Sequence, residues 1–230
     1  MPIPELVVFD LMGTVVKDSG AMESALKQVL THYSIPFTDA DHRAMRGAGK
    51  QAAFAAIARR TIGAGKGPEW ASAKAEEMYV TFKEMLKAGY EQGPTVEIPG
   101  AEATMRWLRE RGIKVAGTSA VDTDLTEPML AKLGWAEGIF DCKVATQEVP
   151  AGRPAPYMIF TAMMRTGVTD VRRVAAVGDT PVDLQAGMNA GVGWVIGVLS
   201  GAGTVEALEA TPHTHILKSV ADLRTLWERA

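Results

Sequence analysis

From residue 101 to residue 198 the sequence alternates helix-patterned segments with short apolar runs, and glycine follows most of the former. Helix Ala101–Arg111 stops at Gly112 and strand Ile113–Gly117 follows; helix Thr126–Leu133 stops at Gly134 and strand Phe140–Ala145 follows. Helix Ala155–Arg165 stops at Gly167 before strand Arg173–Val177, and helix Val182–Ala190 stops at Gly191 before strand Trp194–Val198. A glycine past the last helical residue is the usual C-terminal stop. A short strand near His215–Leu217 and a final helix end the chain, and an apolar run, Glu5–Phe9, leads into Asp10 near its start. Near-continuous apolar strands between helices predict an α/β fold: a doubly wound, Rossmann-like parallel sheet covered on both faces.

Between about Ala21 and Ala88 the strand-like runs vanish. Met22, Leu26, Val29 and Leu30 share one helical face, and Phe54, Ile57 and Ala58 share another. Gly63–Pro68 is a breaker, and Ala71–Lys87 is a longer helix with Met78, Phe82, Met85 and Leu86 on one side. The expected organisation is an α/β core of residues 1–16 and 94–230 with a small helical domain at 17–93. The apolar helix around Met22–Val29 is a candidate contact for a homodimer. The methionines recur at helical spacing with other apolar residues, which reads as core packing.

A net charge of −3 offers no electrostatic footprint for nucleic acid or an anionic membrane. The single cysteine, Cys142, excludes an internal disulfide and reads as a small core residue. The N-terminal apolar run lacks a basic start and is broken by Asp10, and no apolar stretch reaches the ~20 residues of a membrane span. The expectation is a cytoplasmic protein.

In a sheet of this kind ligands bind beyond the carboxyl ends of the strands. The polar residues there are Asp10, Ser119 and Asp179, with Asp183 a few residues further on and Arg153 in the loop Pro150-Ala151-Gly152-Arg153-Pro154. Aspartates in such places also cap helices. Three carboxylates at one sheet edge repel unless a cation sits among them, and oxygen ligands point to Mg²⁺. A Thr118-Ser119 pair at a strand end also suits a turn, and either hydroxyl can serve a bound anion.

Val-Val-Phe-Asp10-Leu11-Met12-Gly13-Thr14 and Val177-Gly178-Asp179-Thr180-Pro181-Val182-Asp183 resemble the first and last signature motifs of the haloacid dehalogenase superfamily. Its phosphatases mostly carry a second aspartate where Met12 stands. One branch, the phosphonoacetaldehyde hydrolases, has a non-acidic residue there, and this chain is similar to it in Val149-Pro150-Ala151-Gly152-Arg153-Pro154 and in Gly47-Ala48-Gly49-Lys50. The resemblance implies a Mg²⁺-dependent hydrolase of a small phosphonate or phosphate, with the helical domain closing as a cap over the site. Asp10 is then the nucleophile that forms an aspartyl-phosphate. Asp10, Asp179, Asp183 and the Met12 carbonyl hold the metal; Ser119 (or Thr118) and Arg153 hold the phosphoryl group. Lys50 either forms an imine with the substrate aldehyde or only contacts the substrate, and Thr14, Thr118, Gly47 and Arg46 are further substrate contacts. Arg46, four residues before Lys50, can favour its neutral form.

This chain departs from the branch at Arg46, where the family has methionine, and at Ala53, where it has histidine. A thioether at position 12 transfers no proton, and loss of a general acid costs on the order of 10²–10⁴ in rate when an alkoxide leaves. Met12 therefore counts against an ordinary phosphomonoesterase and not against C–P cleavage through an electron sink. The alternatives are a phosphatase acting on a small phosphorylated metabolite and a non-catalytic binding protein. The retained Asp179 and Asp183 disfavour a metal-free dehalogenase.

Overall fold

The computed structural model describes residues 3–36, 38, 50–63 and 65–228. These divide into two compact units, one of Met1–Asp18 with Thr95–Ala230 and the other Ser19–Pro94.

In the first unit β1 (Leu6–Asp10) is buried along its whole length, as its unbroken apolar run requires. It pairs in parallel with β2 (Lys114–Ser119) on one side and β4 (Val174–Gly178) on the other. β3 (Cys142–Ala145), β5 (Trp194–Val198) and β6 (His215–Leu217) complete a parallel sheet of order β3-β2-β1-β4-β5-β6. Asp10 stands opposite Thr118, and Phe9 opposite Val177. The order reverses at β1, and the ligand crevice of such sheets opens past the carboxyl ends at that reversal.

Among the helices of the core unit, α4 (Ala101–Glu110) packs on β2, α6 (Tyr157–Thr166) on β1, β2 and β3, and α7 (Pro181–Ala190) on β4 and β5. Leu6, Val8, Val144, Met158, Leu184 and Val195 belong to one continuous apolar core. Gly167 and Gly191, just past α6 and α7, sit at φ 75° and 73°, the left-handed conformation that ends a helix without a Cβ clash. Cys142 is half-buried and burial pushes its thiol up to about 11, so it stays protonated.

Element edges depart from the sequence pattern where local bonding overrides hydrophobic period. α5 (Thr123–Lys132) starts three residues before the expected Thr126, because the Asp122 carbonyl accepts from Leu125 N–H and Thr126 N–H. β3 begins at Cys142 and not at Phe140, since Asp141 turns its carboxylate onto Val115 N–H at 2.9 Å. A short helix, α8 (Val205–Glu209), was not visible in the pattern; Thr204 caps it by accepting from Ala207 N–H at 3.2 Å. α9 (Asp222–Glu228) closes the described chain.

The second unit consists, among the described residues, of α1 (Ala21–His32), α2 (Lys50–Thr61) and α3 (Pro68–Gln92), with α1 and α2 both packed on α3. α3 outruns the expected Ala71–Lys87 at both ends: Pro68 suits the first helical turn, and the helix runs on through Gly89 to end before Gly93. The expected faces are buried at Leu26, Val29, Leu30, Phe54, Ile57, Met78, Phe82 and Leu86, while Met22 and Met85 are half-buried. The Phe54 and Phe82 rings meet edge to face at 5.8 Å. Phe82→Ala should therefore lower stability by about 3–5 kcal/mol, read from urea unfolding; a loss below about 1 kcal/mol would contradict this packing.

Candidate active site

The parallel sheet brings residues distant in sequence to one edge. β1 ends at Asp10, and β4 is followed directly by Asp179. Thr180 then caps α7, with Pro181 in its first turn and Asp183 at the third position. Gly178 lets that turn fold back tightly: a Cβ there would lie 2.5 Å from Asp183 Cγ. One carboxylate oxygen from each of Asp10, Asp179 and Asp183 lies within 4.8 Å of the others, and all three residues are buried.

Asp183 also serves as the helix cap anticipated for such aspartates: its Oδ2 accepts from Thr180 N–H at 2.9 Å and from the Thr180 hydroxyl. Capping uses one oxygen and leaves Oδ1 toward the cluster, so the two roles coexist. Asp179 is held at both oxygens: Thr14 Oγ1 donates to Oδ1 at 3.2 Å and Ala202 N–H to Oδ2 at 2.7 Å. Gly13 permits this, because its Cβ would stand 2.5 Å from Asp179 Oδ2, and its φ of 87° suits only glycine.

Arg153 is the buried cation of the cluster. Its Nη1 lies 2.7 Å from Asp10 Oδ1 and also pairs with Asp183 Oδ1. Burial alone would ease proton loss from the guanidinium, but Asp10 and Asp183 outweigh it and hold the pKa above its usual value. Its Nε and Nη2 are buried without an acceptor among the described residues. Two donors left over beside a carboxylate are what a planar guanidinium offers to an oxyanion.

One arginine does not neutralise three carboxylates. Burial, opposed by Arg153 and reinforced by Asp183 and Asp179, raises Asp10 to about 8. Burial and the Asp183 charge raise Asp179 to about 6, against the donors Ala202 N–H and Thr14. A hard divalent cation fits this donor set: the ligand atoms are all carboxylate oxygens, buried and mutually repelling, with one guanidinium for countercharge.

The strand-end hydroxyls part company. Thr118 Oγ1 donates to the Phe9 carbonyl at 3.1 Å, whereas Ser119 Oγ accepts from Val121 N–H at 3.1 Å and so keeps its own proton to donate. Thr118 borders a cavity of about 20 Å³ with Asp10, Arg153 and Asp183, space for a single water. Ser119 borders another of about 160 Å³ with Leu11, Thr126, Lys143 and Glu148. Met12 is half-buried in the turn after β1, and Thr14 is fully buried with its hydroxyl on Asp179. In the other unit Lys50 opens α2 and is 4 % exposed. Arg46 and Gly47 lie outside the described residues. The sequence pattern did not point to Ser200, Gly201 and Ala202, which follow β5 and lie against Asp179 and Gly13. The available signal was a glycine-rich Ser-Gly-Ala-Gly run at a strand's carboxyl end.

The family model described as haloacid dehalogenase-like hydrolase matches residues 4–191. The chain belongs to that family. It is 38% identical over 135 residues to a phosphonoacetaldehyde hydrolase of Parabacteroides distasonis, covering 58% of this chain and 50% of that protein. A phosphonoacetaldehyde hydrolase of Bacillus cereus is 37% identical over 127 residues, covering 55% of this chain and 47% of its own length. The match thus spans about half the length of these curated relatives. Among solved structures, a phosphonoacetaldehyde hydrolase-like protein of Oleispira antarctica superposes with a TM-score of 0.84 at 21% identity, covering 98% of this chain and 92% of that one. At that identity the likeness concerns the fold. No helix among the described residues is long and apolar enough to cross a membrane.

Proposed function

We propose that this chain is a Mg²⁺-dependent hydrolase that cleaves the carbon–phosphorus bond of phosphonoacetaldehyde or a close analogue. The observation that carries the reading is a buried cluster of Asp10, Asp179, Asp183 and Arg153 with methionine, not an acid, two residues after Asp10. The phosphonoacetaldehyde hydrolases among its relatives support the same substrate class.

In this reading Lys50, as a neutral amine, condenses with the aldehyde; water leaves, and the imine nitrogen takes up a proton from solvent to become an iminium. An Asp10 oxygen attacks phosphorus while Arg153 and Ser119 donate hydrogen bonds to the phosphoryl oxygens. The C–P bond breaks, and its electron pair passes through carbon into the iminium, leaving a neutral enamine. Protonation at carbon restores an iminium, and water then frees acetaldehyde and the lysine. A second water hydrolyses the aspartyl-phosphate to phosphate. No alkoxide leaves at any point, so position 12 needs no acid. Bound by Asp10, Asp179, Asp183 and the Met12 carbonyl, Mg²⁺ would polarise the phosphoryl oxygens and screen their charge from Asp10. Imine formation requires a partly neutral amine at position 50, and Lys50 is buried. The helical unit acts as the cap in this scheme.

Borohydride added during turnover tests the reading. The expected result is a covalent substrate adduct on Lys50, found by peptide mass spectrometry, and its loss together with phosphate release in Lys50→Arg. Rapid Mg²⁺-dependent phosphate release from ordinary esters, unchanged by Lys50→Arg, would instead establish a phosphatase. Substrate binding without phosphate release from any phosphonate or ester would mark a binding protein.

A further inference from the structure

The loop that follows β5 touches the carboxylate cluster although none of its residues belongs to a recognised motif. Three of its groups reach across to other segments. Ser200 Oγ donates to the Gly13 carbonyl at 2.8 Å, Ala202 N–H to Asp179 Oδ2 at 2.7 Å, and Gly203 N–H to the Asp179 carbonyl at 3.0 Å. Two glycines make the approach possible. A Cβ on Gly201 would overlap the Asp179 carboxylate, and one on Gly203 would overlap the Asp179 carbonyl. With Thr14 on Oδ1, each oxygen of Asp179 receives one hydrogen bond, which fixes the carboxylate plane and leaves each oxygen a further lone pair.

We propose that Ser200–Gly203 is a positioning loop that presets Asp179, and through Gly13 the turn after Asp10, for the divalent cation. The inference rests on the reading of Asp179 as a metal ligand. The loop touches no substrate in this proposal. It acts by holding a ligand that would otherwise rotate away from Asp183 and Asp10 under mutual repulsion. Partners of this kind, standing behind metal ligands, typically govern affinity by 10–100-fold.

Mn²⁺ binding, followed by electron paramagnetic resonance of the free ion, gives a readout independent of turnover. Ser200→Ala removes one donor without adding bulk and should weaken Mn²⁺ binding by about 10-fold. Ser200→Thr keeps the hydroxyl and should restore most of it. Gly201→Ala displaces the Asp179 carboxylate and should weaken binding by up to about 100-fold. In steady state, Ser200→Ala should raise the half-saturating Mg²⁺ concentration and leave kcat at saturating Mg²⁺ within about 2-fold, whereas general unfolding would lower kcat at every concentration. If Asp179→Asn abolishes Mn²⁺ binding while Ser200→Ala and a folded Gly201→Ala bind like wild type, the positioning role is overturned and the metal site stands. If wild type and Asp179→Asn bind Mn²⁺ alike, or not at all, the metal-site reading fails and takes the loop's role with it.

Discussion

Asp10→Asn should abolish phosphate release, by on the order of 10⁴-fold or more, and at the same time raise the melting temperature of the metal-free protein. The two effects have one cause. Asp10 is buried beside two further carboxylates, and its pKa of about 8 means that ionising it opposes folding. An amide of the same shape removes that charge and also removes the attacking oxygen. A nucleophile placed at a cost to stability predicts this opposition of activity and stability, whereas a structural aspartate predicts a loss of both. Differential scanning fluorimetry in EDTA, beside a phosphate-release assay, separates them. A lower melting temperature in the Asn variant would show that the Arg153 pairing outweighs burial and repulsion.

The second large effect lies in the pH dependence of the metal-free protein. Folding raises Asp10 to about 8 and Asp179 to about 6, from an ordinary aspartate value near 4. The native state therefore binds more protons than the unfolded chain between those values, and stability falls as pH rises. The cluster's contribution is intact below about pH 4 and is lost through about pH 6 and then about pH 8. A divalent cation requires the deprotonated carboxylates, so stabilisation by Mg²⁺ should grow over the same window. The expected result is a wild-type melting temperature that drops toward pH 8 in EDTA, a shallower drop in Asp10→Asn, and a Mg²⁺-induced rise larger at pH 8 than at pH 6. A Mg²⁺ effect that shrinks with rising pH would contradict a carboxylate site.

The long elements were legible because their signals are local. β5 and β6 have the expected bounds, and the helical faces built on Leu26, Phe54 and Phe82 are buried as their spacing requires. Two of the edges that moved did so where local hydrogen bonds decide, at Asp122 and at Asp141. At the site, the residue types and their place at strand ends could be read directly: Asp10 after an apolar run, Asp179 after another, Arg153 in a Gly-Pro loop. The difference between Thr118 and Ser119 could not, because both are hydroxyls at one strand end; only the fold shows that Thr118 donates to the Phe9 carbonyl and that Ser119 accepts from Val121 N–H.

Hydrophobic period, glycine stops and motif spacing are properties of neighbouring residues, and from them the chain alone determined a parallel α/β sheet, a helical insertion, and carboxylates at the ligand edge with no proton donor at position 12. Through-space distance and burial are not. Thr14 meets Asp179 across 165 residues, Arg153 pairs with Asp10 and Asp183 at once, and the Ser200–Gly203 loop closes on Asp179 from a third segment. Tertiary structure alone decided those meetings, and with them the raised pKa values, because desolvation and Coulomb interaction depend on where the folded chain brings its charges and not on their order along it.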